Sequence, residues 1–208
     1  MLQISLIEKY GWATALSGLR RPYNKERPVC AKSDVPTEKE LSIMHSLVMS
    51  GDDHAKILRM MGVGITVTAP RYWWMEFDTY ALGKFDLDEE HISESTMHRK
   101  ATSPFTSLDF EEDGDNLAKH MNSVLEQYRE VPSLLTQIKA HLPEGFLQTR
   151  EVLLNYQALR HIYNGRKNHR LPQWKQFCEW ISTLPYATAL ICDDLWIADQ
   201  QQAWGVPR

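Results

Sequence analysis

The sequence predicts a mixed fold of α+β or α/β class, rich in helix with a minority of strand, and three stretches carry that prediction. Val63 to Ala69 (Val-Gly-Ile-Thr-Val-Thr-Ala) is β-branched and alternates with period two, as a half-buried strand does. Thr37-Glu38-Lys39-Glu40 is a capping box, in which Thr37 can bind the backbone of Glu40 while the Glu40 carboxylate reaches back. Leu41, Met44, Leu47 and Val48 then follow at helical core spacing, and Leu117, Met121, Leu125 and Tyr128 repeat that spacing later. Mostly helix with a minority of strands fits α+β or α/β, and 208 residues are enough for one sizeable core or at most two small ones.

The remaining elements follow in order. Residues 2–7 alternate briefly and read as a short strand. Trp12 to Leu19 reads as a helix, and Arg20 to Val35, with Pro22 and Pro28, as a loop. Gly51 ends the capped helix. Asp52-Asp53 opens a short helix that ends near Met61. Pro70 suits the first turn of a helix, which should run through Arg71 to Leu82. Residues 83–113 read as irregular, with acidic patches, and Asp113 or Asp115 as the cap of the next helix. Pro132 starts a helix to about Leu142, a long helix is expected from Leu147 to about Tyr163, and another from Pro172 to Leu184. The tail from Tyr186 to Arg208 carries Trp196 and Trp204.

Composition narrows the function classes. Hydrophobic residues are 43% and charged residues 24%, enough for a sizeable core. A net charge of −4 argues against a surface that coats DNA, while leaving room for a local basic pocket. Cys30, Cys178 and Cys192 are odd in number and widely spaced, which argues against a disulfide framework and for a reducing cytoplasm. The first ten residues lack the apolar core of a signal peptide, and no run of about 18 apolar residues offers a membrane span.

Three segments carry polar chemistry. In Arg71-Tyr72-Trp73-Trp74-Met75-Glu76-Phe77-Asp78-Thr79-Tyr80, helical spacing puts Arg71, Trp74, Phe77 and Asp78 on one side and Trp73, Glu76 and Tyr80 on another. Neither side is cleanly apolar. Such a helix either buries its aromatics and pairs its charges internally, or walls a pocket with rings for stacking and Arg71, Glu76 and Tyr80 as polar contacts. Ser93-Glu94-Ser95-Thr96-Met97-His98-Arg99-Lys100 sets hydroxyls beside cations, a pattern that serves either a helix cap or a phosphate site. Arg150 to Arg170 gathers five cations against the single acid Glu151, with His161 and His169 added. That concentration reads either as a solvated face or as an anion site, where Asn155 and Gln157 could read a base and Arg166 a phosphate. No Walker loop, dinucleotide fingerprint, nucleophile elbow or zinc-ligand pair is present.

In order along the chain, these segments resemble a flavin-dependent thymidylate synthase. That family has a His before a strand, then Arg-Gln-Trp-x-Arg-His-Arg, then Asn-Glu-x-Ser-x-Arg. Near its C-terminus come Asn-x-Arg-x-Leu-x-His-Phe-x-x-x-Arg and Ala-Gln-Trp-Glu-Ile-Arg. Here His54 precedes strand 63–69, Arg71-Tyr72-Trp73 follows it, and Ser93 to His98 resembles the next piece. Asn155 to Ile162 with Arg166 resembles the C-terminal helix, and Pro172-Gln173-Trp174 resembles Ala-Gln-Trp. The similarity spans roughly residues 50–178. Met75-Glu76-Phe77 stands where the family keeps Arg-His-Arg, Gln157 where it keeps the Arg of Asn-x-Arg, and Lys175-Gln176-Phe177 where Glu-Ile-Arg follows Gln-Trp.

The resemblance implies a single α+β, thymidylate-synthase-complementing domain over residues 1–208, helix-rich with a small sheet, that transfers a one-carbon unit to C5 of a dUMP-type pyrimidine deoxynucleotide. FAD is the implied cofactor, with NADPH and methylenetetrahydrofolate as co-substrates, and no protein nucleophile is required. It places His54, Asn155, His161 and Arg166 at the flavin. It places Arg71, Trp73, Glu76, Ser95, Thr96, His98, Arg99, Gln157 and Gln173 at the nucleotide. A homotetramer, a cytoplasmic location and no metal belong to the same implication. The substituted positions leave two alternatives open: a variant modification such as hydroxymethylation, or a non-catalytic nucleotide-binding or interaction protein on the same scaffold.

Overall fold

A computed structural model describes residues 2–23, 34–81, 90–93 and 103–195. Strand β1 (Gln3–Tyr10) leads to helix α1 (Trp12–Arg20), then α2 (Glu38–Met49) and the short α3 (Lys56–Met60). Strand β2 (Gly62–Pro70) passes directly into α4 (Arg71–Ala81), and β3 (Glu90–Ser93) follows. Helices α5 (Gly114–Tyr128) and α6 (Leu134–His141) precede β4 (Leu147–Asn155), which runs without a loop into α7 (Tyr156–Arg166). Helices α8 (Pro172–Ser182) and α9 (Ala187–Leu190) complete the described elements. The sheet has the order β1-β2-β4-β3, so the chain is α+β and helix-rich with a small sheet, as expected.

Several local expectations hold for the physical reasons given. Thr37 Oγ1 accepts from the Glu40 backbone while Glu40 Oε2 accepts from the Thr37 N–H, so the capping box is reciprocal. Gly51, at φ 106°, supplies the left-handed turn that stops α2. Strand β2 is buried along almost its whole length, as its β-branched run requires.

The expected long helix from Leu147 is corrected by the structure. Residues 147–155 are a strand, and the helix begins only at Tyr156. Leu, Gln, Arg and Glu are good helix formers, so local propensity pointed the wrong way. Position decides here: β4 lies inside the sheet between β2 and β3, where pairing on both edges outweighs propensity. Three smaller boundaries also move. The first strand continues to Tyr10, the short helix after Asp52-Asp53 begins at Lys56, and Pro70 ends its strand rather than opening the helix. The expected irregular segment contains β3. Cys30, Trp196 and Trp204 lie outside the described residues.

The chain divides into two compact units. The first comprises Met1–Ser5, Thr66–Thr79 and His91–Glu151. Its core includes Phe105, Phe110, Met121, Ile138, Leu142 and Phe146, with rings at edge or stacked angles. The second comprises Leu6–Ile65, Tyr80–Glu90 and Val152–Arg208. Its core draws on Leu16, Met44, Leu58, Tyr156, Leu159, Phe177 and Ile181, all buried. Cys178 and Cys192 are buried free thiols there, and burial pushes both up to about 12, which keeps them protonated and unreactive. No described helix is long and apolar enough to cross a membrane.

Candidate functional site

In the second unit, α7 presents two faces. Tyr156, Leu159, Ile162 and Tyr163 are buried, whereas His161 is exposed and Gln157 and Arg166 are half-buried. Asn155 fixes the start of this helix. Its side-chain oxygen accepts from the Ala158 N–H at 2.8 Å, satisfying one orphan donor of the first turn. Asn155 is 1% exposed, and its Nδ2 has no acceptor among the described residues. A buried donor left unpaired costs about 1–3 kcal/mol, so an acceptor delivered by a ligand would be stabilising there.

Farther along the helix, side chains converge on Tyr80. Arg166 Nε donates to the Tyr80 hydroxyl at 2.7 Å. The guanidinium also lies 5.3 Å from the Tyr80 ring centre and 4.7 Å from that of Trp174. His161 meets the same tyrosine edge-on at 5.5 Å, and Trp174 lies 5.9 Å from it. His169 packs edge-on to Trp174 at 6.3 Å. Tyr80, His161, Arg166, His169 and Trp174 thus form one cation and aromatic cluster. Gly165 permits the approach, because a Cβ there would sit 3.0 Å from the Tyr80 hydroxyl. The cluster can place a positive charge and an imidazole against a flat, anionic ligand.

The other residues expected at a site fall in different surroundings. His54 is exposed in the turn before α3. Gln157 accepts a long contact of 3.5 Å from Arg59, and Gln173 is 6% exposed on the first turn of α8. Ser95, Thr96, His98 and Arg99 lie outside the described residues.

In the first unit, α4 buries its aromatics. Trp73 stacks on Phe77 with ring centres 4.9 Å apart and meets Trp74 edge-on at 5.0 Å, all three essentially inaccessible to solvent. Arg71 donates to the Leu142 carbonyl at 2.8 Å and faces Glu144 at 3.6 Å. Tyr72 hydrogen-bonds Glu111, and burial raises its hydroxyl pKa. Glu76 is half-buried. The aromatic side of α4 is therefore core, and its charges are held by partners.

Sequence reasoning missed a second cation cluster. Arg150 donates to Asp78 at 2.7 Å and lies 4.2 Å from the Trp74 ring centre, with its side chain 11% exposed. The Trp74 indole N–H donates to the Gln148 carbonyl at 3.0 Å, which fixes the ring beneath it. The only sequence signal was an acid, Asp78, within an aromatic helix that had to find a cation. Arg160 is likewise paired with Asp193, and Lys167 with Asp194 at 3.1 Å. The excess of cations in residues 150–170 is thus largely neutralised by acids distant in sequence. Arg166 engages two aromatic rings and a hydroxyl.

With this geometry established, the fold can be set beside known proteins. No protein-family model matches the chain, and no curated protein matches it in sequence. Solved structures do match. The flavin-dependent thymidylate synthase of Helicobacter pylori, complexed with FAD and dUMP, superposes with a TM-score of 0.64 at 12% identity, covering 93% of this chain and 99% of that one. The UMP/dUMP methylase PolB of Streptomyces cacaoi, bound with 5-Br dUMP, gives 0.62 at 13% identity, with 95% of each chain covered. The chain therefore has the fold of the flavin-dependent thymidylate synthases.

Proposed function

We propose that this chain is an enzyme that transfers a one-carbon unit to C5 of a dUMP-type nucleotide with FAD as cofactor. The observation that carries the reading is a fold similar over nearly its whole length to two enzymes whose ligands are pyrimidine nucleotides. The residues of the second unit fit a flavin in kind. Asn155 brings an unpaired buried donor, Arg166 a cation on an aromatic platform, and His161 an exposed imidazole. We assign these three, with His54, to FAD. Reduced flavin would supply the hydride, and NADPH and methylenetetrahydrofolate would be the co-substrates. The protein's own part is to bind, orient and neutralise charge. Arg71 and Glu76, two half-buried charged side chains of α4, are the nucleotide contacts we propose. A single thymidylate-synthase-complementing domain assembled as a homotetramer belongs to the same reading.

A second reading is favoured by Phe77. In Met75-Glu76-Phe77 the methionine is 63% exposed and the phenylalanine is sealed against Trp73. No cation is available from these three positions, so a variant modification of the pyrimidine, or nucleotide binding without turnover, is the alternative.

The deciding experiment is an absorption spectrum of the purified protein before and after FAD addition, followed by mass spectrometry of dUMP and dCMP incubated with NADPH and methylenetetrahydrofolate. Flavin bands and a dUMP product heavier by one methyl are expected. A hydroxymethyl product moves the assignment to the variant reaction. A colourless protein that takes up no FAD but is stabilised by dUMP moves it to binding alone.

A further inference from the structure

We propose that Tyr80 is a positioning residue of the flavin site, holding the Arg166 guanidinium in the orientation that receives the cofactor. The inference rests on the assignment of Arg166 and His161 to FAD, and adds to it a residue that touches both.

Tyr80 lies on the last turn of α4 and belongs to the second unit, as does the whole of α7. Its hydroxyl accepts from Arg166 Nε at 2.7 Å, and its ring lies 5.3 Å from the guanidinium. The same ring meets His161 edge-on at 5.5 Å. Trp174 is fully buried, 5.9 Å from the Tyr80 ring and 4.7 Å from the guanidinium, so the support under Arg166 is anchored in the core.

The chemistry of the contact suits orientation. A long arginine side chain loses rotamer freedom when a ligand fixes it, and ordering one such chain is a factor of about two to ten in affinity. Nε lies in the guanidinium plane, so an acceptor there sets the direction of that plane before a ligand arrives. A hydroxyl is also a neutral acceptor. It orients the cation without cancelling its charge, as a carboxylate in the same place would.

The neighbouring residue is an independent sign of the same arrangement. Gly165 sits in the last turn of α7, where glycine is a poorer helix former than alanine. A Cβ at that position would lie 3.0 Å from the Tyr80 hydroxyl, closer than ordinary contact. The tyrosine oxygen thus occupies the space that a side chain at 165 would take. Helix propensity at 165 is given up where the hydroxyl approaches Arg166.

The test is a double-mutant cycle read in FAD affinity. It follows quenching of flavin fluorescence by the full chain, at a temperature where circular dichroism shows every variant folded. Tyr80→Phe keeps the ring and should weaken FAD about fivefold. Added to Arg166→Met, the same change should cost less than a further twofold, because the hydroxyl then has no guanidinium to orient. Thr37→Ala removes the cap of α2, and should lower the melting temperature while leaving FAD affinity within about twofold of the parent's. A parent that takes up no FAD overturns the flavin reading and this role with it. A parent that binds FAD, with Tyr80→Phe within twofold of it, overturns the positioning role alone. So does a further loss of twofold or more when Tyr80→Phe is added to Arg166→Met, or a loss in Thr37→Ala equal to that in Tyr80→Phe. Should Arg166→Met bind too weakly to titrate, Tyr80→Phe against Thr37→Ala decides by the same twofold limit.

Discussion

Replacing Arg166 by methionine separates what holds the Tyr80 cluster together from what the cluster binds. Methionine keeps an unbranched stem of similar reach and loses the guanidinium. The parent donates a charged hydrogen bond of 2.7 Å to Tyr80 and lies against two rings at 4.7 and 5.3 Å. A hydrogen bond involving a charged group contributes about 1.5 kcal/mol, and each partly exposed cation–ring contact about 0.5 kcal/mol. Arg166→Met should therefore destabilise the chain by about 2.5 kcal/mol, read as a lower urea midpoint at unchanged slope. Tyr80→Phe retains the ring and removes only the hydroxyl. In a double-mutant cycle the two changes should couple by about 1.5 kcal/mol, the share of the Nε-to-hydroxyl bond. Lysine at 166 should not rescue it, because an ammonium lacks the planar fork that lies against two rings while donating to the hydroxyl of one of them. A coupling near zero, or a midpoint for Arg166→Met equal to the parent's, would refute the reasoning. If Arg166 also faces FAD, the same variant should lose flavin affinity by at least about tenfold beyond any change in stability.

Three further predictions test the scaffold. Glu40 accepts from Arg20 at 2.5 and 3.0 Å, and this bonding holds its carboxyl at about 2 against an ordinary 4.5. Because the folded value is depressed, the stabilisation is fully present above pH 4.5 and is lost as pH falls through about 2. With the side chains about one-fifth exposed, the effect should be about 1–2 kcal/mol after solvent screening, and Glu40→Gln should flatten chemical denaturation midpoints across that window. Gly62→Ala should cost about 3 kcal/mol or prevent folding, since the new Cβ would lie 2.3 Å from the Tyr10 ring and 2.6 Å from the Leu154 carbonyl oxygen; a thermal melt within two degrees of the parent's would contradict this. Asn155→Ala should cost about 1–2 kcal/mol through loss of the α7 cap, with Asn155→Ser recovering part of it in the same denaturation assay.

Much of the scaffold was legible because its signals are local. The Thr37–Glu40 box, the β-branched run of β2 and the proline opening α8 each announce an element within a few residues. Strand β4 was not legible, since Leu-Gln-Thr-Arg-Glu-Val-Leu-Leu-Asn satisfies helix propensity and only neighbouring strands make it extended. The candidate site shows the same divide. His161, Arg166 and Trp174 could be named from the C-terminal pattern, but Tyr80 lies 86 residues before Arg166, and nothing in the spacing announces that bond. Arg150 reads as part of a basic stretch because its acid, Asp78, is 72 residues away.

The absence of any linker between β4 and α7, and between β2 and α4, has a consequence for how such a protein can change. Asn155 is at once the last residue of a strand and the cap of a helix, and Pro70 is followed at once by Arg71. One residue inserted into either strand would turn every later strand side chain to the opposite face, and one inserted into either helix would swing the rest of it by about 100°. His161 and Arg166 would then point away from Tyr80. Lineages carrying this fold should accept new side chains at these positions far more readily than new chain length, so altered chemistry has to arise by substitution on a fixed frame. Met75-Glu76-Phe77, a replaced triplet inside an uninterrupted helix, is a change of that kind.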